Sequence, residues 1–137
     1  MSLRCFIQEQ APVPGSAAPA VHYPACEWVG DEGKVDPQHP LNRFVCSWLT
    51  SDVSALSRCD EVLHAVGELE KGTRQTWFVD GDAFQVDLQV HGVQFNPSHV
   101  GPDDVAYWKP AAGRFALSEV VTLLQGWRNF LETSHPH

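Results

Sequence analysis

The sequence predicts an α+β fold in which an antiparallel β-meander of three to five strands packs against one or two helices. Three observations predict it. Apolar and polar residues alternate over Phe84–Val90, apolar residues recur at helical spacing over 117–131, and prolines interrupt 9–40. The 137 residues match the usual size of one domain, so we expect a single domain over 1–137. Its predicted helix-meander-helix core covers 52–132.

The N-terminal third combines a short predicted strand, 3–8, with a long stretch that is rich in proline. Six prolines fall within 9–40: Pro12, Pro14, Pro19, Pro24, Pro37 and Pro40. Each proline lacks a backbone donor and fixes its φ angle, so no long regular element is expected there. We interpret 9–40 as a long loop packed on the domain. Short extended pieces at Ala20–Tyr23 and Glu27–Val29 are able to join a sheet edge.

The first helix is predicted near 52–70. Before it, the alternation of Phe44, Cys46 and Trp48 suits a strand, although a helical turn fits the same residues. Ser51 and Asp52 offer an N-cap, and apolar residues follow at helical spacing. The Glu70-Lys71-Gly72 run is a typical helix stop.

The meander follows, with strands predicted near 73–79, 83–91 and 93–96. Asp80-Gly81 is a type I′ hairpin signal, and His91-Gly92 marks a second turn. The alternation over Phe84–Val90 gives one buried face and one wet face. A polar loop covers 97–104, and Val105–Trp108 is a candidate fourth strand.

The last helix is predicted over 117–132, with Ser118 as its cap. One apolar stripe runs along it: Val120, Val121, Leu124, Trp127, Phe130 and Leu131. Gly126 inside a helix costs about 1 kcal/mol relative to alanine, which indicates a close contact at that position. We expect this stripe to pack on the apolar face of the meander.

The charge is negative and unevenly placed. The formal net charge is -8, and the segment from Asp60 to Asp104 holds nine acidic residues against two basic ones. Such a segment disfavours binding to nucleic acid and to anionic membrane surfaces, because both need lysine and arginine. It attracts a basic protein partner and speeds the encounter. The alternative interpretation is an acidic surface that only confers solubility.

Motifs for catalysis or metal binding are not recognisable. The seven histidines are scattered, and no paired C-x-x-C, P-loop, G-x-S-x-G or G-x-G-x-x-G occurs. Asp60 and His64 lie one helical turn apart, but a surface i,i+4 pair is the favoured interpretation. We therefore predict no metal, no cofactor and no enzymatic activity. A small enzyme without a known motif remains an alternative.

The chain begins without the apolar run of a signal peptide, and its longest apolar stretches are shorter than a membrane span. A cytoplasmic protein is expected. Its four cysteines, Cys5, Cys26, Cys46 and Cys59, are then expected to be reduced and mostly buried, although two disulfides fit the even count.

A candidate binding site lies on the 99–109 loop and the nearby hairpin. The loop sequence HVGPDDVAYWK joins two acids to two aromatic residues, which is typical of binding hot spots. The alternative is that the aromatic residues only anchor the loop in the core. The predicted partner-binding residues are Asp80, Asp82, Asp87, Asp103, Asp104, Tyr107 and Trp108.

Two stretches together resemble a known group of proteins. They are Trp77–Leu88, WFVDGDAFQVDL, and Leu117–Leu131, LSEVVTLLQGWRNFL. A hairpin with such a turn, followed by a terminal helix ending W-x-x-F-L, resembles small immunity proteins of bacterial polymorphic toxin systems, including contact-dependent inhibition. The resemblance covers roughly 52–132. It implies a cytosolic protein that binds and neutralises a cognate toxin domain, and the alternative is a housekeeping interaction module.

Overall fold

A β-hairpin forms the N-terminal part of the chain. The computed structural model describes residues 2–12, 14, 15, 17, 20–98, 103, 104 and 108–134. Strand β1 (Ser2–Gln10) pairs antiparallel with β2 (Val21–Val29). The predicted strand at 3–8 is confirmed, and so are the extended pieces predicted near 20–23 and 27–29, but the prediction of a loop is wrong for 24–26, which continue the same strand. A two-stranded sheet has only edge strands, which is where proline is tolerated, so Pro24 does not end β2.

A buried helical segment follows. Leu41–Cys46 forms a π-helical turn that runs directly into α1 (Ser47–Asp52), so the strand interpretation of 44–48 is wrong and the helical alternative is confirmed. Phe44, Val45, Cys46, Trp48 and Leu49 are all buried. Alternation carries little information in such a segment, because it has almost no exposed face to alternate with.

The second helix, α2, spans Leu56–Lys71 and begins four residues after the predicted start. Asp52 does not cap it. Its carboxylate instead accepts hydrogen bonds from the backbone of Ala83 and Phe84. The predicted stop is confirmed, because Gly72 adopts the left-handed conformation with φ 79° and donates its N–H to Leu69 O.

The meander contains four antiparallel strands in the order β3-β4-β5-β6. They are β3 (Trp77–Asp80), β4 (Phe84–Gln89), β5 (Gly92–Pro97) and β6 (Arg114–Phe115). The three predicted strands are confirmed with shorter bounds at 73–79 and 83–91, and β6 was not predicted. Of the expected strand Val105–Trp108, residues 105–107 lie outside the described residues, and Trp108 lies in a bend.

The β3–β4 connection is not a type I′ turn. That turn needs positive φ at both central residues, and neither Asp80 nor Gly81 has it. The loop is closed by a 2.9 Å hydrogen bond from Gly81 N–H to Phe84 O, and the Asp52 carboxylate lies against it. A contact from a distant helix therefore determines the shape of this turn.

The core lies between the apolar face of the meander and the helices. Val86 and Leu88 are fully buried, as the alternation in β4 predicts. Phe95 is the centre of an aromatic cluster, with ring centroids 5.4–6.3 Å from those of its neighbours. These neighbours are Phe44, Trp48, Phe84 and Phe115. The cluster joins the 41–52 segment to the sheet.

The last helix, α3 (Leu117–Ser134), completes the core as predicted, although Ser118 lies within its first turn. Val120, Leu124, Trp127 and Leu131 are fully buried, whereas Val121 and Phe130 are half-buried. The Trp127 indole N–H donates a 2.7 Å hydrogen bond to Val53 O. The stripe and the burial of Trp127 are therefore confirmed.

Candidate functional site

The four-stranded sheet has one face in the core and one face turned away from it. We call the second the outer face. It carries Phe78 and Asp80 on β3, Gln85, Asp87 and Gln89 on β4, Gln94 and Asn96 on β5, and Arg114 on β6. The register places one row straight across it, from Phe78 through Asp87 and Gln94 to Arg114. This face is polar and charged, with one large apolar side chain.

The β3–β4 turn is held rigidly at one end of this face. The Asp52 carboxylate accepts hydrogen bonds of 3.1 Å from the backbone N–H groups of Ala83 and Phe84. Ser98, just after β5, donates its hydroxyl to Asp82 O at 2.7 Å and its N–H to Ala83 O. Two of the predicted partner-binding residues, Asp80 and Asp82, are thereby presented to solvent on a fixed turn.

The loop that carries the other predicted residues is attached to the same sheet at both ends. It leaves at Ser98, beside the turn, and returns where the N–H of Lys109 donates a 2.9 Å hydrogen bond to Asn96 Oδ1. Asp103 and Asp104 are exposed, and Trp108 is half-buried, with its N–H donating to Asp104 O. Tyr107 lies outside the described residues.

Three of the four carboxylates of α2 have cationic partners, whereas Glu70 has none among the described residues. Asp60 pairs with Arg128, Glu61 with Arg58, and Glu68 with Arg74 and His64. By contrast, the predicted aspartates make no ion pair among the described residues, and we refer to them as the acidic end: Asp80, Asp82, Asp87, Asp103 and Asp104. Asp80 and Asp87 receive only uncharged donors, from Gln85 and from Thr76 and Gln89. No carboxylate of the acidic end is therefore neutralised by an ion pair within the described part of the chain.

Phe78 belongs to this surface, although the sequence interpretation did not select it. It lies directly opposite Asp87 and is 53% exposed. A phenylalanine exposed on a polar sheet face contributes little to the core, and such residues are frequent anchors in interfaces. The available signal was the alternation in β3, because Val79 is buried and its neighbour Phe78 must point to the other side.

Asp60 and His64 on α2 do not form an acid/base pair. Asp60 is bound to the Arg128 guanidinium at 2.5 Å, and His64 lies 3.5 Å from Glu68, so the Asp60–His64 acid/base pair does not form. The hydrogen bond that Arg128 donates to Asp60, together with the charge of that carboxylate, raises the pKa of Arg128.

The cysteines are free, and three of the four are buried, as expected. Burial and the neighbouring Cys26 raise the pKa of Cys5 to about 12, and burial and Asp60 raise that of Cys59 to about 11. A hydrogen bond with Cys46, together with burial, raises the pKa of Cys26. These thiols therefore stay protonated at neutral pH, which makes them poor nucleophiles.

A groove in the described part of the chain lies away from the acidic end. It measures about 640 Å³ and lies between the β4–β5 turn and the start of α3. Val90, His91, Leu117 and Val121 line it, with Glu70 as its one carboxylate. Ser118 also lines it, but no hydrogen bond joins Glu70, His91 and Ser118 in the described part of the chain, and none of the predicted partner-binding residues lines it.

Comparison of the chain with protein-family models, with curated proteins and with solved structures finds no match. Within the described ranges, no helix has the length and apolar character needed to cross a membrane. The described side chains also form no group of three or more histidine, cysteine or acidic residues arranged to hold a metal ion.

Proposed function

We propose that this protein binds a basic protein partner through its acidic end, and that it acts as an immunity protein that neutralises a toxin domain. The main support is a difference in ion pairing between the carboxylates of α2 and those of the acidic end. Three of the four α2 carboxylates, Asp60, Glu61 and Glu68, have cationic partners, while the five aspartates of the acidic end have none among the described residues and lie together on the sheet and its loop. The toxin-neutralising form of the proposal rests on the resemblance of 52–132 to immunity proteins.

Unpaired surface carboxylates favour a charged partner more than paired ones do. An ion pair within the chain cancels most of its own field at a distance, whereas an unpaired carboxylate adds to the field that steers an incoming cation. Four of the five carboxylates are also exposed, so their approach by lysine or arginine side chains is unobstructed. The acidic end therefore supports fast, salt-dependent association with a basic surface.

Affinity requires apolar anchors in addition to charge. Phe78 is 53% exposed among these carboxylates, and Trp108 is half-buried beside Asp104. Large aromatic side chains of this kind are over-represented among residues whose truncation costs binding more than about 2 kcal/mol. Phe78 and Trp108 are the side chains that we assign to this role.

The surface is arranged before any partner arrives. Asp52 holds the β3–β4 turn, and Asn96 holds the returning end of the loop. Binding to a surface that is already ordered loses less conformational entropy than binding to a flexible one. The β3–β4 turn and the end of the loop at Lys109 therefore need no ordering on association.

The first experiment uses the neighbouring reading frame. The C-terminal domain of a large gene beside this one is expressed alone and together with this protein in the same host cell. We expect growth arrest with the domain alone and growth with both, together with a complex that survives gel filtration. Absence of both protection and complex formation would contradict the immunity proposal.

Variants separate steering from anchoring in that complex. Asp103→Asn with Asp104→Asn removes rim charges worth at most about 1 kcal/mol each, so it mainly slows association and flattens its salt dependence. Phe78→Ala and Trp108→Ala each cost more than about 2 kcal/mol and mainly speed dissociation. Surface plasmon resonance measures both rate constants directly.

A matched control tests whether position or total charge matters. Neutralising Asp80, Asp82, Asp103 and Asp104 removes four charges from the acidic end. Neutralising four exposed acids elsewhere removes the same number: Glu9, Asp31, Glu70 and Glu119. We expect association to slow markedly only in the first variant. Equal slowing in both would mean that net charge alone drives the encounter.

A further inference from the structure

A small polar pocket on the outer face lies between β4, β5 and the returning loop. It measures about 130 Å³, below the range of drug-sized ligand sites. Charged and amide side chains line it: Asp87, Gln89, His91, Gln94, Lys109 and Arg114. An occupant must therefore be small and polar.

Lys109 is held at this pocket in a costly backbone conformation. Its φ is 56°, in the left-handed region that favours glycine or asparagine. Two buried amides fix it there. Asn96, 1% exposed, accepts the Lys109 N–H, and Gln94, 8% exposed, donates to Pro110 O at 3.0 Å. Strain that the surroundings impose on a charged residue is characteristic of functional sites.

The guanidinium of Arg114 reaches the same pocket over a residue without a side chain. A Cβ added at Gly92 would lie 3.4 Å from Arg114 Nη2 and 3.5 Å from Phe115 O. These are ordinary van der Waals distances, so the guanidinium lies close over Gly92. Among the described residues, neither Arg114 nor Lys109 makes an ion pair.

The carboxylate of Asp87 also lines the pocket, and it forms no ion pair with Lys109 or Arg114. Asp87 Oδ1 accepts a 2.7 Å hydrogen bond from the Thr76 hydroxyl, and its Oδ2 accepts one of 3.2 Å from Gln89 Nε2. Its carboxylate is therefore fixed by uncharged groups, although two cations line the same cavity. Both signs of charge are presented to one small volume without neutralising each other.

We propose that this pocket binds a small zwitterion of the α-amino-acid type. The ligand carboxylate lies on Arg114 and Lys109, and its ammonium group lies on Asp87. A simple anion gains from the two cations but is repelled by Asp87, while a simple cation meets the opposite balance. Only a ligand that carries both charges satisfies the whole lining. This site does not rest on the proposed function, because it needs no protein partner.

The test is an NMR titration of the purified protein with glycine. Acetate and methylammonium, which carry one charge each, are the comparison ligands. We expect saturable shifts of the Gln89 and Gln94 side-chain amides and of the Arg114 Nε–H with glycine. Each single-charge ligand should bind about tenfold more weakly or worse, the equivalent of one lost charged contact. Equal binding of acetate and glycine, or no saturable shift with glycine, would overturn the proposal.

Variants place the two charges of the ligand. Lys109→Gly removes the ammonium group but keeps a residue that adopts positive φ without strain, so the protein stays folded. We expect Lys109→Gly and Arg114→Gln to weaken glycine binding about tenfold or more. Lys34→Gly, which removes an exposed lysine far from the pocket in sequence, should leave it unchanged.

Asp87→Asn tests the assignment of the ammonium group. It should weaken glycine binding but strengthen acetate binding, because repulsion of the anion disappears. Parallel weakening of both ligands would show that Asp87 only shapes the pocket and would overturn the zwitterion assignment. Binding of a protein partner is measured separately, so failure here leaves the proposed function intact.

Discussion

The two faces of the four-stranded sheet share one backbone but obey different constraints. On the inner face, Val86, Leu88, Val93 and Phe95 are fully buried against the helices. On the outer face, Phe78 is 53% exposed among carboxylates that have no cationic partner in the described residues. Folding accounts for the inner face completely, since apolar burial is its main driving force. Phe78 contributes little to folding, and the proposed partner binding gives this exposed phenylalanine a role.

The largest expected effect comes from comparing one phenylalanine on each face. Phe95→Ala removes the centre of the aromatic cluster and should lower the free energy of unfolding by about 3–5 kcal/mol. Phe78→Ala should lower it by less than about 1 kcal/mol, as surface substitutions usually do. Urea denaturation of both variants measures the difference. If the two losses are equal, the outer face is packed and the contrast between the faces fails.

A smaller loss of stability is expected from substitutions at the polar residues of the outer face, and its size should depend on whether the side chain is buried. Asn96 is 1% exposed and accepts the N–H of Lys109, so Asn96→Ala leaves a donor unpaired and should cost about 1–3 kcal/mol. Gln85 lies opposite it in register but makes only an exposed hydrogen bond to Asp80. Gln85→Ala should therefore change the unfolding free energy by less than about 0.5 kcal/mol.

The sequence pattern predicts the elements that have one buried side and one exposed side, and it fails for elements whose sides are equally buried. The alternation in β4 and the stripe of α3 each divide a buried side from an exposed one, and both elements were predicted. The 41–52 segment is buried almost throughout, so its pattern could not distinguish strand from helix. Strand β2 is predicted only as two short pieces on either side of Pro24, because the proline rule applies to central strands, and Pro24 lies in a sheet that has only edges.

The candidate site was predictable in part for a similar reason. The aspartates are visible in the sequence, but their lack of partners is not. Asp60 finds Arg128 68 residues further along the chain, which no local pattern indicates. The left-handed conformation of Lys109 depends on the hydrogen bond that its N–H donates to Asn96 and on the one that Gln94 donates to Pro110 O, so it too appears only in the folded chain.

The helices behind the inner face provide a test by pH. Cys59 is fully buried on α2, and its thiol donates to Leu124 O on α3. Burial raises its pKa from 9.0 to about 11. Between these values the unfolded chain loses the proton first, so stability is retained below pH 9.0 and falls as pH rises toward about 11.

Cys59→Ser removes this titration, and the other thiols still contribute. We therefore expect the stability of the variant, followed by urea denaturation at each pH, to fall less steeply over that window than the stability of the wild type. Identical slopes would mean that Cys59 reaches solvent in the folded protein.

The smallest effect concerns two glycines in these helices. A Cβ at Gly67 in α2 would meet nothing within 4 Å, so Gly67→Ala should raise the unfolding free energy by about 0.5–1 kcal/mol through helix propensity alone. A Cβ at Gly126 in α3 would lie 3.2 Å from Leu3 Cδ2 on β1, so that side chain must move and the gain should be smaller. Combining Gly126→Ala with Leu3→Ala removes the contact and should restore the full gain, as a double-mutant cycle by urea denaturation measures. If Gly126→Ala gains equally with and without Leu3, the hairpin does not press on α3, and the close approach at Gly126 has no energetic consequence.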